Sequence, residues 1–457
     1  MIIRYYLALW MAKLSIIALK ITKHNATNFP GIVALKICPR FLEITKKPQH
    51  IIGITGTNGK TTISNLLIDI LRADGEDVMD NNAGSNTITG IITSFVYGTD
   101  ALGRIKYDKA VLEIDERSVR LLFKGIKPEY LLINNLTRDS IMRNAHPEFI
   151  AKLLTQYMPE NTKLILNGDD MIVCGVAPHN DRVYFGIDKM DTDVPKCINL
   201  INDMQICPKC GSLLKYEYLR YHHIGKAFCP NCHFKTPARN YIAQNVNTKN
   251  MTFEMSDSEG KHGYRLLNDS VFNIYNVVAL VAIMRELEYK PERISELLDS
   301  VNIVETRYKI TEIGKNRVIK QMSKEKNALA SSRVFDYISH CPGKKEIIMM
   351  MNCLGDQKHW SENICWMYDC DFEFLNDEDI VNIVCTGPRA KDYYLRLRLA
   401  GVPRDRISLE PDEYEARHAL KLTQPVDVYL LYGTDSLALA EKILPLVEDE
   451  VRERGIE

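Results

Sequence analysis

The segment Gly53-Ile-Thr-Gly-Thr-Asn-Gly-Lys-Thr-Thr62 limits what this chain can fold into more than any other. It grows out of a short β-branched run, Ile51 to Thr55, and leads into an amphipathic stretch, Thr62 to Arg72, that reads as a helix. A strand-to-helix turn with two glycines and a lysine is suited to wrapping an anion. Gly56 and Gly59 let the backbone curl, and the helix N-terminus aims its unpaired N–H groups at the centre of the turn. Lys60 would neutralise the outer phosphates of a nucleotide, and Thr61 would offer a hydroxyl to Mg²⁺. Such a turn works at the edge of a parallel sheet, so the rest of the chain should supply one.

The flanking pattern agrees. Lys109 to Ile114, Tyr130 to Asn134, Lys163 to Asn167 and Arg182 to Gly186 are short apolar runs reached through helical stretches. Strands alternating with helices predict a parallel sheet covered on both faces. Asn273 to Leu287 and Arg293 to Val301 read as helices. The last third restarts the alternation, with strands expected at Glu346 to Asn352, Ile380 to Thr386 and Val426 to Tyr432, and helices at Arg389 to Ala400 and Ser436 to Val447. The organisation expected is a helical segment at 1–49, a nucleotide-binding α/β domain at 50–302 with an insertion at 200–242, and a C-terminal α/β domain at 303–457.

The insertion carries Cys207-Pro-Lys-Cys210 and Cys229-Pro-Asn-Cys232, two knuckles separated by 18 residues. Tetrahedral Zn²⁺ takes four thiolates, and this spacing brings two turns around one ion. With all four positions filled by cysteine no coordination site stays open, so the zinc is expected to be structural. His222, His223 and His233 lie close by, but the quartet needs none of them. Twelve cysteines and no signal peptide point to a reducing compartment, the cytoplasm.

Glu113, Asp115 and Glu116 end one of the strands, at the sheet edge that faces a ligand crevice. Hard oxygen donors there suit Mg²⁺, with Glu113 the first candidate. A formal net charge of -1 argues against general nucleic-acid binding. Met1 to Lys23 is apolar, but Arg4, Lys13 and Lys20 leave an uncharged run of only eight residues, Tyr5 to Ala12. A membrane span takes roughly 20. An amphipathic helix packed on the next domain is expected, with peripheral contact to a membrane through Tyr5, Tyr6 and Trp10 as the alternative.

Taken together, the phosphate loop, Asn82-Ala-Gly-Ser-Asn86, Leu112-Glu-Ile-Asp-Glu116, Asn167-Gly-Asp-Asp170 and Tyr184-Phe-Gly186 resemble the middle domain of the Mur ligases. The cysteine ribbon, Trp366-Met-Tyr-Asp-Cys-Asp-Phe-Glu373 and Thr386-Gly-Pro-Arg-Ala-Lys-Asp392 resemble more narrowly the MurT-type subunits of lipid II isoglutaminyl synthases. With 52 residues ahead of Gly53, no separate domain for a UDP-linked substrate is expected. The resemblance implies ATP-dependent phosphorylation of the α-carboxylate of D-glutamate in the lipid II stem peptide. Ammonia from a GatD-type glutaminase partner would then give D-isoglutamine. By motif, Thr57, Asn58, Gly59, Lys60, Thr61 and Thr62 would hold the phosphates, Glu113 the magnesium, Asn273 and Asn276 the adenine, and Arg307 would lie near the phosphates. Asp369 or Asp371 would complete the partner's catalytic group.

The chain departs from the family pattern at Arg138-Asp-Ser-Ile-Met-Arg-Asn-Ala-His-Pro-Glu148, at Thr306-Arg-Tyr-Lys309, at Ser323-Lys-Glu-Lys-Asn327 and at Asn363, where an aspartate is expected. A Mur-like amide ligase with another acceptor, and a nucleotide-binding protein without turnover, are the competing readings.

Overall fold

The computed structural model describes residues 1–456 apart from 83–84, 139–145, 302–307 and 352–363. Asn363, most of the Arg138–Glu148 stretch, and Thr306 and Arg307 of the Thr306–Lys309 stretch therefore lie outside the described residues. The chain divides into two compact units. One takes residues 1–137, 146–198 and 202–303, and the other 138–145, 199–201 and 304–457.

The first unit is organised by a nine-stranded sheet. Its strands are β1 (His50–Thr55), β2 (Val78–Asp80), β3 (Lys109–Glu113), β4 (Tyr130–Ile133), β5 (Lys163–Asn167), β6 (Arg182–Ile187), β9 (Tyr241–Asn247), β10 (Thr252–Asp257) and β11 (Gly260–Arg265), with β7 (Lys215–Tyr221) and β8 (Ile224–Phe228) forming a separate hairpin. In space the order is β2-β3-β1-β4-β5-β6-β9-β10-β11. The pairs from β2 to β9 are parallel, and β9, β10 and β11 close the edge as an antiparallel meander. Every side chain from Ile51 to Thr55 is buried, as befits a strand covered on both faces. The chain leaves β1 toward β2 and β3 on one side and returns with β4 on the other. This makes the C-terminal end of β1 a switch point, where the crevice of an open α/β sheet opens.

The helices ahead of β3 are α1 (Ile2–Ile21), α2 (Phe29–Ile37), α3 (Phe41–Ile44), α4 (Lys60–Ala73) and α5 (Ile88–Gly98). The expected N-terminal helix is present, and its Tyr5, Ala8, Leu9, Ala12 and Ile16 join the core of this unit. The helix Val271–Glu286 is apolar on all sides because all sides are covered; Ile274 to Met284 are buried without a break. The sequence pattern had no clear signal for β2, α5 or the meander. Two of these, β9 and β11, alternate buried and exposed side chains only weakly, so period-two patterning is faint in them.

The second unit contains a six-stranded sheet in the order β12-β13-β17-β14-β15-β16, from β12 (Tyr308–Ile313), β13 (Asn316–Met322), β14 (Lys345–Met350), β15 (Ile380–Cys385), β16 (Ile407–Leu409) and β17 (Asp427–Tyr432). All pairs are parallel except the hairpin β12–β13. One face is filled by Phe335, Trp366, Phe372 and Tyr393, the other by Leu430, Tyr432, Ile443 and Val447. The last helix runs Leu437–Arg454, longer than the pattern suggested and continuing past Pro445.

Candidate nucleotide site and metal centre

At the end of β1 the chain turns through Gly56, with φ +131°, and Gly59, with φ +89°, and starts α4 at Lys60. Gly59 is required twice over. Its φ lies where only glycine is comfortable, and a Cβ there would stand 2.2 Å from Asn276 Oδ1 and 2.5 Å from Asn134 Nδ2.

The turn is held from behind by a ladder of amides. Asn135 Oδ1 accepts from the Asn58 N–H at 2.9 Å, and Asn135 Nδ2 donates to the Asn58 carbonyl at 3.0 Å. Asn134 Nδ2 donates to the same carbonyl at 3.1 Å and to Asn276 Oδ1 at 3.1 Å, while Asn276 Nδ2 donates to Asn273 Oδ1 at 3.2 Å. Thr57 Oγ1 donates to the Thr137 carbonyl at 3.2 Å and accepts the Thr137 N–H at 3.0 Å. The loop conformation is thus fixed in advance by residues after β4 and on the helix Val271–Glu286. A site ordered before its ligand arrives avoids part of the entropy cost of binding.

Lys60 Nζ donates to the Gly56 carbonyl and to Glu116 Oε1, the latter at 2.7 Å, and Glu116 Oε1 also accepts the Gly56 N–H at 3.1 Å. Burial opposes the charge on Lys60, but Glu116 and its neighbours Glu113 and Asp115 hold its pKa above the ordinary lysine value. Burial pushes the Glu116 carboxyl up, against the pull of Lys60. Glu116 is therefore the resident partner of the phosphate-loop lysine. Desolvating such a pair is costly, so phosphate oxygens entering the loop would compete with Glu116 for the ammonium.

Glu113 ends β3 beside Ile54 in the sheet register. Its Oε1 accepts from Asn86 Nδ2 at 2.9 Å, and Asn81 brackets its backbone through both N–H and carbonyl. Thr61 and Thr62 follow Lys60 in the first turn of α4, with Thr61 exposed. A carboxylate and a hydroxyl at the mouth of a phosphate loop suit Mg²⁺.

The structure brings together Thr57, Asn58, Gly59, Lys60, Asn273 and Asn276, with Glu113 on the adjoining strand. Sequence reasoning missed Asn134 and Asn135, and it grouped Glu116 with the magnesium donors where the structure pairs it with Lys60. All three sit just beyond strand ends at the same sheet edge, the criterion that singled out Glu113.

Cys207 and Cys210 meet Cys229 and Cys232, with all four sulfurs within 4.8 Å of one another. Cys207 lies 3.5 Å from Cys232, and Cys210 lies 3.5 Å from Cys229. A tetrahedron with Zn–S bonds of about 2.3 Å has edges of about 3.8 Å, so this cluster fits zinc. The Asn231 N–H points at Cys229 Sγ, 3.4 Å away, as donors do toward a thiolate.

The hairpin β7–β8 beside the cluster reaches back into the nucleotide-binding unit. Arg220 on β7 grips Asp193 through Nε at 3.0 Å and Nη2 at 2.7 Å. It donates from Nη1 to Tyr275 Oη at 2.6 Å and to Asp169 Oδ2 at 3.3 Å. Arg239 meets the other oxygen of Asp169 at 2.8 Å. Burial disfavours the Arg220 charge, yet Tyr275, Asp169 and Asp193 raise its pKa above the ordinary arginine value. At the hairpin turn, His223 Nε2 lies 3.2 Å from Asp170 Oδ1. The other Asp170 oxygen accepts the Leu136 N–H at 2.8 Å, next to the amide ladder.

In the second unit Asp371 is buried, and its carboxylate accepts from Asn199 Nδ2 at 2.9 Å and from the Leu200 N–H at 2.6 Å. Asp369 is partly exposed and pairs with Arg138 at 3.5 Å. The two aspartates differ in kind: one is a structural clamp, the other is within reach of solvent.

Two family descriptions match the chain: the Mur ligase middle domain over residues 54–204 and the MurT ligase C-terminal domain over residues 325–434. The subunit MurT of the glutamine-hydrolysing lipid II isoglutaminyl synthase of Staphylococcus aureus strain COL is 29% identical over 416 residues, covering 90% of this chain and 92% of its own. The chain has the Mur ligase fold, with a Mur ligase middle domain at residues 54–204. Its C-terminal unit is of the MurT type. Solved Mur ligase structures share the fold. The pseudomurein peptide ligase type C from Methanothermus fervidus superposes with a TM-score of 0.65 at 22% identity, covering 90% of this chain and 81% of its own. The MurF ligase from Thermotoga maritima in complex with ADP gives 0.60 at 16%, covering 93% and 85%. A Mur ligase-type central domain with a parallel sheet, an inserted cysteine ribbon and a C-terminal α/β domain is the fold the residue pattern implied.

Proposed function

We propose that this chain is the ATP-using subunit of a lipid II amidating enzyme. ATP transfers its γ-phosphoryl group to the α-carboxylate of D-glutamate in the stem peptide, giving an acyl phosphate and ADP. Ammonia adds to that carbonyl carbon, phosphate leaves, and the product is the D-isoglutaminyl amide. One observation carries the reading: a Mur ligase middle domain and a MurT-type C-terminal domain stand in one chain that is similar, over 90% of its length, to a subunit named for this reaction.

The nucleotide would lie on the loop Thr57 to Thr62, its phosphates drawing Lys60 away from Glu116. Asn273 and Asn276 would meet the adenine. ADP in the Thermotoga relative supports a nucleotide in this fold. Magnesium, held by Thr61 and Glu113, would supply charge neutralisation on the phosphates. Zinc would sit in the closed cysteine quartet and take no part in the chemistry. The ammonia would come from a GatD-type glutaminase in a heterodimer, with Asp369 the aspartate that faces the partner. The enzyme would work in the cytoplasm.

Mass spectrometry of lipid II incubated with this chain, a GatD-type glutaminase, glutamine and Mg-ATP tests the reading. Replacement of one stem-peptide carboxylate by a carboxamide is expected. Unchanged lipid II, with ammonium salts supplied in place of glutamine as well, would overturn it. ATP turnover on another carboxylate would then point to a different acceptor, and nucleotide binding without turnover to a non-catalytic protein.

A further inference from the structure

We propose that the outer face of α1 is a docking surface for an anionic phospholipid bilayer. The inference stands on α1 itself and does not depend on the proposed acceptor.

The helix buries Tyr5, Ala8, Leu9, Ala12 and Ile16 against the unit it belongs to. On its other side Ile3, Leu7, Trp10, Leu14, Ile17 and Ile21 are each between 48% and 85% exposed. At about 100° per residue these six fall within an arc of about 80°, opposite the buried side. A surface helix of a soluble domain puts charged residues there; this one puts a continuous apolar stripe. Leu102 and Tyr97, beside α1, extend the patch, and both are exposed. The Tyr6 hydroxyl donates to the Leu102 carbonyl at 3.3 Å, and Trp10 Nε1 donates to the Ala101 carbonyl at 2.9 Å. With its N–H satisfied by the protein, the indole can give its apolar face to an interface.

By length and composition α1 would suffice to cross a membrane. Its buried small residues and its ties to residues 96–102 hold it flat on the domain instead, in the manner of an interfacial helix.

The charges identify what covers the stripe. Residues 1–42 contain six Lys and Arg and no Asp or Glu, in a chain with 58 basic and 59 acidic residues in all. Lys13 is turned inward, donating to the Val96 carbonyl at 2.7 Å. Arg4, Lys20 and Lys23 are exposed, and Arg4 and Lys20 lie on opposite borders of the stripe. The spacing of the stripe also suits a helical zipper, but a second copy would bring the like charges of α1 together, and α1 has no acid of its own to pair them. An apolar strip edged by cations, with aromatic residues along it, complements an anionic lipid surface.

The test is co-sedimentation of the full chain with extruded vesicles, either phosphatidylcholine alone or phosphatidylcholine with phosphatidylglycerol, at low and high salt. Binding to the anionic vesicles is expected, weakened by salt. Leu7→Glu/Leu14→Glu should lower the partition coefficient at least about tenfold. Lys20→Glu/Lys23→Glu should lower it about fivefold or more per position on anionic vesicles only. These side chains are exposed, so thermal unfolding should stay within the wild-type range and separates lost docking from lost fold. No binding by wild type at low salt would overturn the proposal. So would a dimer in solution that Leu7→Glu/Leu14→Glu dissolves while vesicle binding is absent, which would assign the stripe to a second copy.

Discussion

Replacing Arg220 with methionine tests how the cysteine ribbon is coupled to the nucleotide-binding unit. The side chains of Arg220, Asp169 and Asp193 are 2%, 0% and 0% exposed, and with Arg239 on Asp169 two cations offset two carboxylates with almost no help from water. After the substitution Asp169 keeps Arg239, the Tyr275 hydroxyl and the Ile187 N–H. Asp193 keeps the Met190 N–H but loses both guanidinium contacts. Methionine fills much of the vacated volume, so the cost is mainly that of a stranded buried carboxylate, about 3–5 kcal/mol. At about 2 °C per kcal/mol for a domain of this size, the first unit should melt about 6–10 °C lower. Differential scanning calorimetry, with zinc content measured beside it, reads this directly. Adding Asp193→Asn should recover part of the loss, because it removes the stranded charge. Because Tyr275 precedes Asn276 on the same helix, nucleotide affinity should also fall, and it can be followed by titration calorimetry. A melting temperature within about 1 °C of wild type, with unchanged nucleotide affinity, would refute the coupling.

Lys60→Ala should abolish ATP-dependent turnover while the fold persists, although Glu116 then loses its partner; Lys60→Ala/Glu116→Gln should restore stability without activity, and turnover in either variant would remove the phosphate-loop assignment. Metal analysis should find about one zinc per chain, lost in Cys207→Ser/Cys229→Ser, and a well-folded zinc-free protein would refute the metal centre. Asp371→Ala should destabilise the second unit by about 1–3 kcal/mol, since the Leu200 N–H and Asn199 amide lose their acceptor, whereas Asp369→Asn should leave stability nearly unchanged. With a glutaminase partner present, Asp369→Asn should reduce glutamine-driven amidation more than ammonia-driven amidation. Equal losses would remove its proposed role.

The parts of this molecule that could be read from sequence are those where one local segment carries the whole requirement. A phosphate loop must have its glycines and lysine in a row, and a zinc ribbon must have paired knuckles; both are visible without knowing the fold. The amide ladder is different. Asn58, Asn134, Asn135 and Asn276 meet only because β1 and β4 are neighbours and the helix Val271–Glu286 packs beside them, and asparagines so far apart carry no mutual signal. Glu116 was visible as an acid at a strand end, but its pairing with Lys60 depends on the parallel alignment of β1 and β3.

Arg220 is the least legible residue of all. In Lys-Tyr-Glu-Tyr-Leu-Arg-Tyr it reads as one more polar position of a hairpin, yet it is among the most buried charges in the chain. That burial bears on why a ribbon is inserted here. A zinc cluster alone could stabilise a small module anywhere on the surface. This hairpin places Arg220 and His223 against Asp169 and Asp170, which follow β5 directly, and against Tyr275, which adjoins Asn276. With zinc in the quartet the knuckles would fix the hairpin, and the hairpin braces the end of β5 and the helix Val271–Glu286 beside the phosphate loop. A zinc bound there would act on the phosphate loop through the stiffness of its supports and not through a step of the chemistry.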